Sequence, residues 1–142
     1  MALLRYTASA DTTISNALMD DLLHSASLSN MGAADSLEIF YIDGDQIPGT
    51  KEHSRILIKF PIDDMKLDRS SSLMGPSGSV KHYLKLANAK HPYPLPGDFR
   101  VSVAPLSTDW DEGTGFDMDN YQDFGEANWI SSSYGTTWPT EG

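Results

Sequence analysis

The densest chemical signal in the chain is Asp109-Trp110-Asp111-Glu112-Gly113-Thr114-Gly115-Phe116-Asp117-Met118-Asp119-Asn120. Closely spaced carboxylates with intervening glycines could wrap oxygen ligands around calcium, and Asp109, Asp111, Asp117 and Asp119 are the candidate ligands. The Asp109/Asp111 spacing resembles the start of an EF-hand loop, and the match then fails. Gly113 stands where an Asp or Asn ligand belongs, Thr114 where the turn glycine belongs, and Asn120 where the closing bidentate Glu belongs. The simpler expectation is a solvated acidic loop that Trp110 and Phe116 fasten to the rest of the fold, with a structural calcium as the alternative.

Other chemistries have less to stand on. His24, His53, His82 and His91 are scattered without the spacing of a metal motif, and no serine sits in a Gly-x-Ser-x-Gly elbow. Asp111, Glu112, Asp117 and Glu126 could supply a pair of carboxylates for glycoside hydrolysis, yet nothing selects a pair. No catalytic residue is assigned, and the expectation is a protein that is not an enzyme. Trp110, Tyr121, Trp129, Tyr134 and Trp138 could stack on sugar rings as a carbohydrate-binding module does. Aromatic anchors of this kind more often pack on their own fold or on a partner protein. They are the expected contact residues for a partner or a glycan.

Composition narrows the classes further. The chain has 142 residues, no cysteine and a net charge of −10. That length can bury a core without staples, and thiolate catalysis, iron–sulfur clusters and cysteine-bound zinc drop out. The acidic balance has the wrong sign for an unassisted grip on nucleic acid. No apolar run approaches a membrane span, and Met1-Ala2-Leu3-Leu4-Arg5-Tyr6-Thr7 lacks the apolar core of a signal peptide. The charge is also uneven: residues 101–142 carry eight acids, no base and all three tryptophans. The expectation for residues 107–142 is an acidic, aromatic-rich loop region of irregular structure laid onto a sheet.

The elements that would position these residues are short strands. Leu3–Ala8, Thr12–Ser15, Ser36–Ile42, Arg55–Phe60, Val80–Ala87 and Phe99–Leu106 favour β structure and are separated by turn signals. In Arg55–Phe60, Ile56, Ile58 and Phe60 share one face, and Leu57 with the Arg and Lys stems takes the other. His82, Leu84 and Leu86 alternate with Lys81, Tyr83 and Lys85, and Phe99, Val101 and Val103 are expected inward against Arg100 and Ser102. Pro92, Pro94 and Pro96 fix an extended connection between these two strands. Helix is scarce: two turns at most over residues 16–24, capped by Asn16, and a short turn at Pro61–Leu67. The fold class expected is all-β, an antiparallel jelly-roll-like sandwich with long loops, forming a single domain over residues 1–142.

A family resemblance rests on the order of these segments. Ala10-Asp11-Thr12-Thr13-Ile14, then Arg55-Ile56-Leu57-Ile58-Lys59-Phe60-Pro61-Ile62, then Tyr83-Leu84-Lys85-Leu86, resembles the opening half of a DNRLRE-type domain. Val101-Ser102-Val103 leading into Trp110-Asp111-Glu112-Gly113, with Thr136-Thr137-Trp138 downstream, continues the pattern. Such domains are jelly-roll-like sandwiches similar to carbohydrate-binding modules. The stretch from Trp110 through Tyr121 and Asn128-Trp129-Ile130 to Trp138 looks like virion structural proteins of tailed phages, especially those of marine and cyanobacterial hosts. The resemblance implies a virion component at the capsid surface, neck or tail, assembled in the host cytoplasm beside other virion proteins in a symmetric multicopy array. A glycan-binding module of a phage adhesin is the alternative. The resemblance also implies further strands after Thr136-Thr137-Trp138, to be supplied by another chain or by a longer protein; a sandwich left incomplete invites pairing at its open edges.

Overall fold

The structure is a computed structural model that describes residues 3–43, 50–76, 78–92, 94, 97–122 and 125–142. Within it the chain, read from sequence as one domain, divides into two compact units. One comprises residues 1–5 and 62–107, the other residues 6–61 and 108–142.

The second unit is built on an antiparallel sheet. Strand β1 (Ala10–Ser15) pairs with β3 (Lys51–Lys59) from Ala10↔Lys59 to Ser15↔Ser54, and β2 (Tyr41–Asp43) flanks β3 on its other side, giving the order β1-β3-β2. β1 contains Thr12, Thr13 and Ile14, β-branched residues whose stiff side chains suit a pleated strand. All three and Ser15 are buried, so both faces of this strand are covered. A small hairpin follows in the tail, β4 (Ser131–Ser133) against β5 (Thr136–Thr137). Its turn passes through Gly135 at φ 70°, a left-handed conformation that glycine adopts without steric penalty.

The alternation in β3 determines where the core sits. His53, Arg55, Leu57 and Lys59 point to one side, and that is the side on which residues 108–142 lay their tryptophans. Leu57 and, across the ladder, Ala10 pack against a cluster of Trp110, Ala127 and Trp138. The cation of Arg55 lies 5.3 Å from the centroid of the Trp129 ring, and that of Lys59 lies 5.3 Å from the centroid of Trp110. The two basic side chains thus lie against indole faces, an arrangement worth about 0.5–1 kcal/mol apiece at half-exposed sites.

The first unit has a different character. Its regular element is α1 (Ile62–Ser70), which follows Pro61, opens with Asp63 and Asp64 in its first turn and ends with Arg69 in its last, each charge opposing the nearer pole of the helix dipole. Lys66 donates to Asp63 at 2.8 Å. None of the helix is buried.

Several expected elements differ. Residues 16–24 form no helix: Leu18 and Ser25 make an antiparallel bridge, and Asn16, expected as a cap, uses its side chain to tie β1 to β3 through Lys51 O and His53 N. Of Ser36–Ile42 only the end becomes strand, and Leu3–Ala8 joins no strand. Val80–Ala87 and Phe99–Leu106 join no strand among the described residues, and Leu84, Leu86, Phe99, Val101 and Val103 are exposed rather than inward. Alternation sets which side chains share a face, but a strand also needs a ladder partner, and among the described residues no strand pairs with these segments. Of the proline series, Pro96 lies outside the described residues. Among the described residues the structure is thus β-rich, with open antiparallel sheets and one short helix.

Candidate interaction surface

Two asparagines organise the tail: Asn30 fastens it to the loop between β1 and β2, and Asn128 fastens it to itself. Asn30 is fully buried, and each of its side-chain atoms makes two bonds. Its Nδ2 donates to Glu112 O at 2.8 Å and Ala127 O at 2.9 Å, while its Oδ1 accepts from Gly32 N at 3.0 Å and Gly115 N at 2.9 Å. Two carbonyls on one side and two amides on the other leave only one orientation of the amide that satisfies all four. Glycine is required around this hub: a Cβ on Gly113, at φ 80°, would collide with Asn30 and Glu126, and one on Gly115 would collide with the Asn30 carbonyl. Asn128, also fully buried, ties the tail to itself. Its Oδ1 accepts from Ile130 N and Ser131 N, and its carbonyl accepts the indole N–H of Trp138 at 2.7 Å.

The carboxylates of the acidic segment are dispersed by the same bonding. Asp109 accepts from Lys59 Nζ at 2.6 Å and from Trp110 N; the Lys59 hydrogen bond, then that backbone amide, hold its carboxyl below the ordinary range. Glu112 accepts from Asp11 N at 2.6 Å, tying the tail to β1. Asp117 accepts from the backbone amides of Asn120 and Asp119 in a local turn, and the Asn120 amide is the main cause of its lowered pKa. Asp119 accepts from Asp20 N at 3.0 Å. Asp111 is exposed and bonds through its backbone to Ser132 and Ala127. Among the described residues no group of three or more carboxylates or imidazoles gathers in an arrangement that could hold a metal ion, so Asp109, Asp111, Asp117 and Asp119 are not brought together as the calcium alternative requires. The carboxylates of Asp109, Asp117 and Asp119 turn instead toward Lys59 and separate backbone amides.

The five aromatic candidates separate equally clearly. Trp110, Trp129 and Trp138 are buried within the single chain, with relative exposures of 5%, 7% and 9%. They build the core and leave no indole face for a sugar or a partner. Tyr121 lies at the surface, edge-on to Phe116 with ring centroids 5.5 Å apart, and Tyr134 stands 82% exposed at the hairpin turn. No coplanar stacking platform is formed by these five. Phe116, expected to fasten the loop, is itself exposed, and Asn30 and Trp110 do the fastening.

Two surfaces escaped the sequence reading. The first is a row across the sheet: the Tyr41 and His53 rings stack at 5.4 Å, His53 lies 5.7 Å from Trp129, and Arg55 covers the other end. Recognising it required β3 to begin at Lys51, so that His53 fell on the face of Arg55 and Leu57. The row leads to β2, the last strand of its sheet, where Tyr41, Ile42 and Asp43 are all exposed and no further strand pairs among the described residues.

The second lies in the helical unit. A groove of about 200 Å3 is lined by Ile62, Met65 and Met74 with Lys66, Arg69 and His82. Beyond it Tyr83, Leu84, Leu86, Phe99, Val101, Val103 and Leu106 are exposed. Isolated exposed apolar residues are ordinary, whereas here they are gathered in two segments. Comparison of the chain with protein-family models, curated proteins and solved structures returned no match.

Proposed function

We propose that this protein is a non-enzymatic structural component that works by protein–protein contact in a multicopy assembly, and that the assembly is the virion of a tailed phage, at the capsid surface, neck or tail. The observation that carries the reading is the state of Val80–Ala87 and Phe99–Leu106. These segments have the residue pattern of strands, expose their apolar side chains and lack strand partners among the described residues. A neighbour that supplied ladder partners would bury that surface and satisfy the backbone in one step. Such pairing would also supply the strands that turn the open sheets into the jelly-roll-like sandwich implied by the resemblance. The virion assignment itself rests on that resemblance.

The test is mass spectrometry of purified phage particles from the source of this sequence, followed by cryo-electron microscopy. The reading expects the chain in stoichiometric amounts, with residues 80–106 paired to a neighbouring subunit. Absence of the chain from particles refutes the virion assignment. Its presence with residues 80–106 still facing solvent refutes the contact mechanism.

A further inference from the structure

The charge of the chain is divided between its two units. Residues 1–5 and 62–107 hold seven bases against four acids, a net charge of +3, while residues 6–61 and 108–142 hold three bases against sixteen acids, a net charge of −13. The bases of the first unit lie among its exposed apolar residues: Lys81 and Lys85 alternate with His82, Leu84 and Leu86, and Arg100 sits between Phe99 and Val101. A partner for that unit must therefore combine an acidic surface with an open strand edge. The second unit carries the acidic charge, and among the described residues β2 ends its sheet with Tyr41, Ile42 and Asp43 exposed; the acids Glu38 and Asp43 flank this edge, with Lys51 opposite Asp43 on the neighbouring strand.

We propose that the partner is a second copy of this chain, joined head to tail, with the basic apolar unit of one copy adding the Phe99–Ala104 segment to the β2 edge of the next. This deepens the assembly reading above and rests on it. The contact is heterologous, so each copy offers one donor surface and one acceptor surface, and repetition gives a ring or a filament. Backbone ladder bonds and burial of Phe99, Val101 and Val103 on the sheet face that carries Tyr41 supply affinity, and the opposed charges select the pairing and speed the encounter.

The test uses the full chain and two variants. Val101→Glu with Val103→Glu places charges on the donor segment, and Asp43→Pro removes an outward-facing amide from the acceptor edge, since Phe40 and Ile42 are the residues whose backbone faces β3. Both leave the tryptophan core untouched, and the buried-indole fluorescence of residues 110, 129 and 138 reports whether the second unit is folded. Light scattering after size exclusion is expected to show oligomers of the unaltered chain whose apparent dissociation constant rises roughly tenfold or more between about 0.05 and 0.5 M salt. Each variant is expected to be monomeric. A 1:1 mixture of the two is expected to form dimers and nothing larger, since only one intact donor and one intact acceptor remain. An unaltered chain that stays monomeric at high concentration overturns the proposal, as does a folded variant pair that fails to complement while the unaltered chain associates. A chain that is monomeric alone but incorporated into particles overturns self-pairing and leaves the assembly reading standing; absence from particles overturns the assembly reading whatever the chain does alone.

Discussion

Removing the Asn30 side chain should loosen the tail from the loop between β1 and β2. In Asn30→Ala four backbone groups lose a partner: the amides of Gly32 and Gly115 and the carbonyls of Glu112 and Ala127. Gly115 and Ala127 are buried, so water cannot replace the lost bonds there. At about 1–3 kcal/mol for each buried group left unsatisfied, the change should cost about 3–5 kcal/mol. With a urea dependence of about 2 kcal/mol per molar, the unfolding midpoint followed by tryptophan fluorescence should fall by about 2 M. Asn30→Asp tests the direction of the bonds. It keeps an acceptor for the two amides but sets a carboxylate oxygen against two carbonyl oxygens, which pushes its pKa up in the folded state relative to the unfolded chain. A raised folded pKa means that the acid form fits best: the stability deficit relative to the unaltered chain should be smallest below about pH 4 and should widen as pH rises through the folded pKa. The deficit of Asn30→Ala should show no such titration. An Asn30→Ala midpoint within about 0.5 M of the unaltered chain, or an Asn30→Asp deficit that is flat with pH, would refute the assignment of Asn30 as the clamp.

Trp110→Ala, which empties the centre of the Trp110–Ala127–Trp138 cluster, should lose about 3–5 kcal/mol by chemical denaturation; an unchanged midpoint would remove Trp110 from the core. Gly113→Ala should destabilise by more than Gly135→Ala, because both residues have positive φ but only the Gly113 position meets Asn30 and Glu126, whereas Gly135 faces open space. The Gly135 change should cost only the left-handed backbone penalty of about 1–2 kcal/mol, and equal losses would sink the close-contact argument. For Asp109 the folded pKa lies below its unfolded value, so its bond to Lys59 contributes stability above about pH 4 that is lost as pH falls through the folded pKa. Asp109→Asn should therefore differ from the unaltered chain at neutral pH and converge with it in acid; a difference that does not shrink would exclude that ion pair as the cause. Tyr134→Ala should leave stability within about 0.5 kcal/mol, and a larger loss by thermal melting would mean that the hairpin turn carries packing of its own.

Much of the second unit was legible in the residues. Thr12–Ser15 and Arg55–Phe60 announce strands through β-branched residues and alternation, and those two segments pair with each other in the structure. The faces of the second strand were also readable, since Leu57 with the Arg55 and Lys59 stems does form one side. Pro61 followed by two aspartates signals the helix start. The density of Trp, Gly and Asp in the tail points to irregular chain laid on a sheet. At Asn16 local sequence cannot choose, because an asparagine side chain serves a helix cap and a strand bridge equally well, and only the presence of Lys51 and His53 beside it decides between them.

The sequence by itself determined which residues alternate, where the chain turns and how its charge is divided, because those properties depend on neighbours a few positions apart. The tertiary structure decided what each face meets. Whether Trp110, Trp129 and Trp138 are core or surface depends on bonds such as Asn30 to Glu112 and Ala127, 82 and 97 residues apart in the chain, which no local pattern reveals. The same rule in reverse explains Val80–Ala87 and Phe99–Leu106: their alternation is local and plain, while the ladder partner that would turn it into a strand is not supplied by the described residues. Side-chain periodicity is a property of one segment, and burial and pairing belong to two.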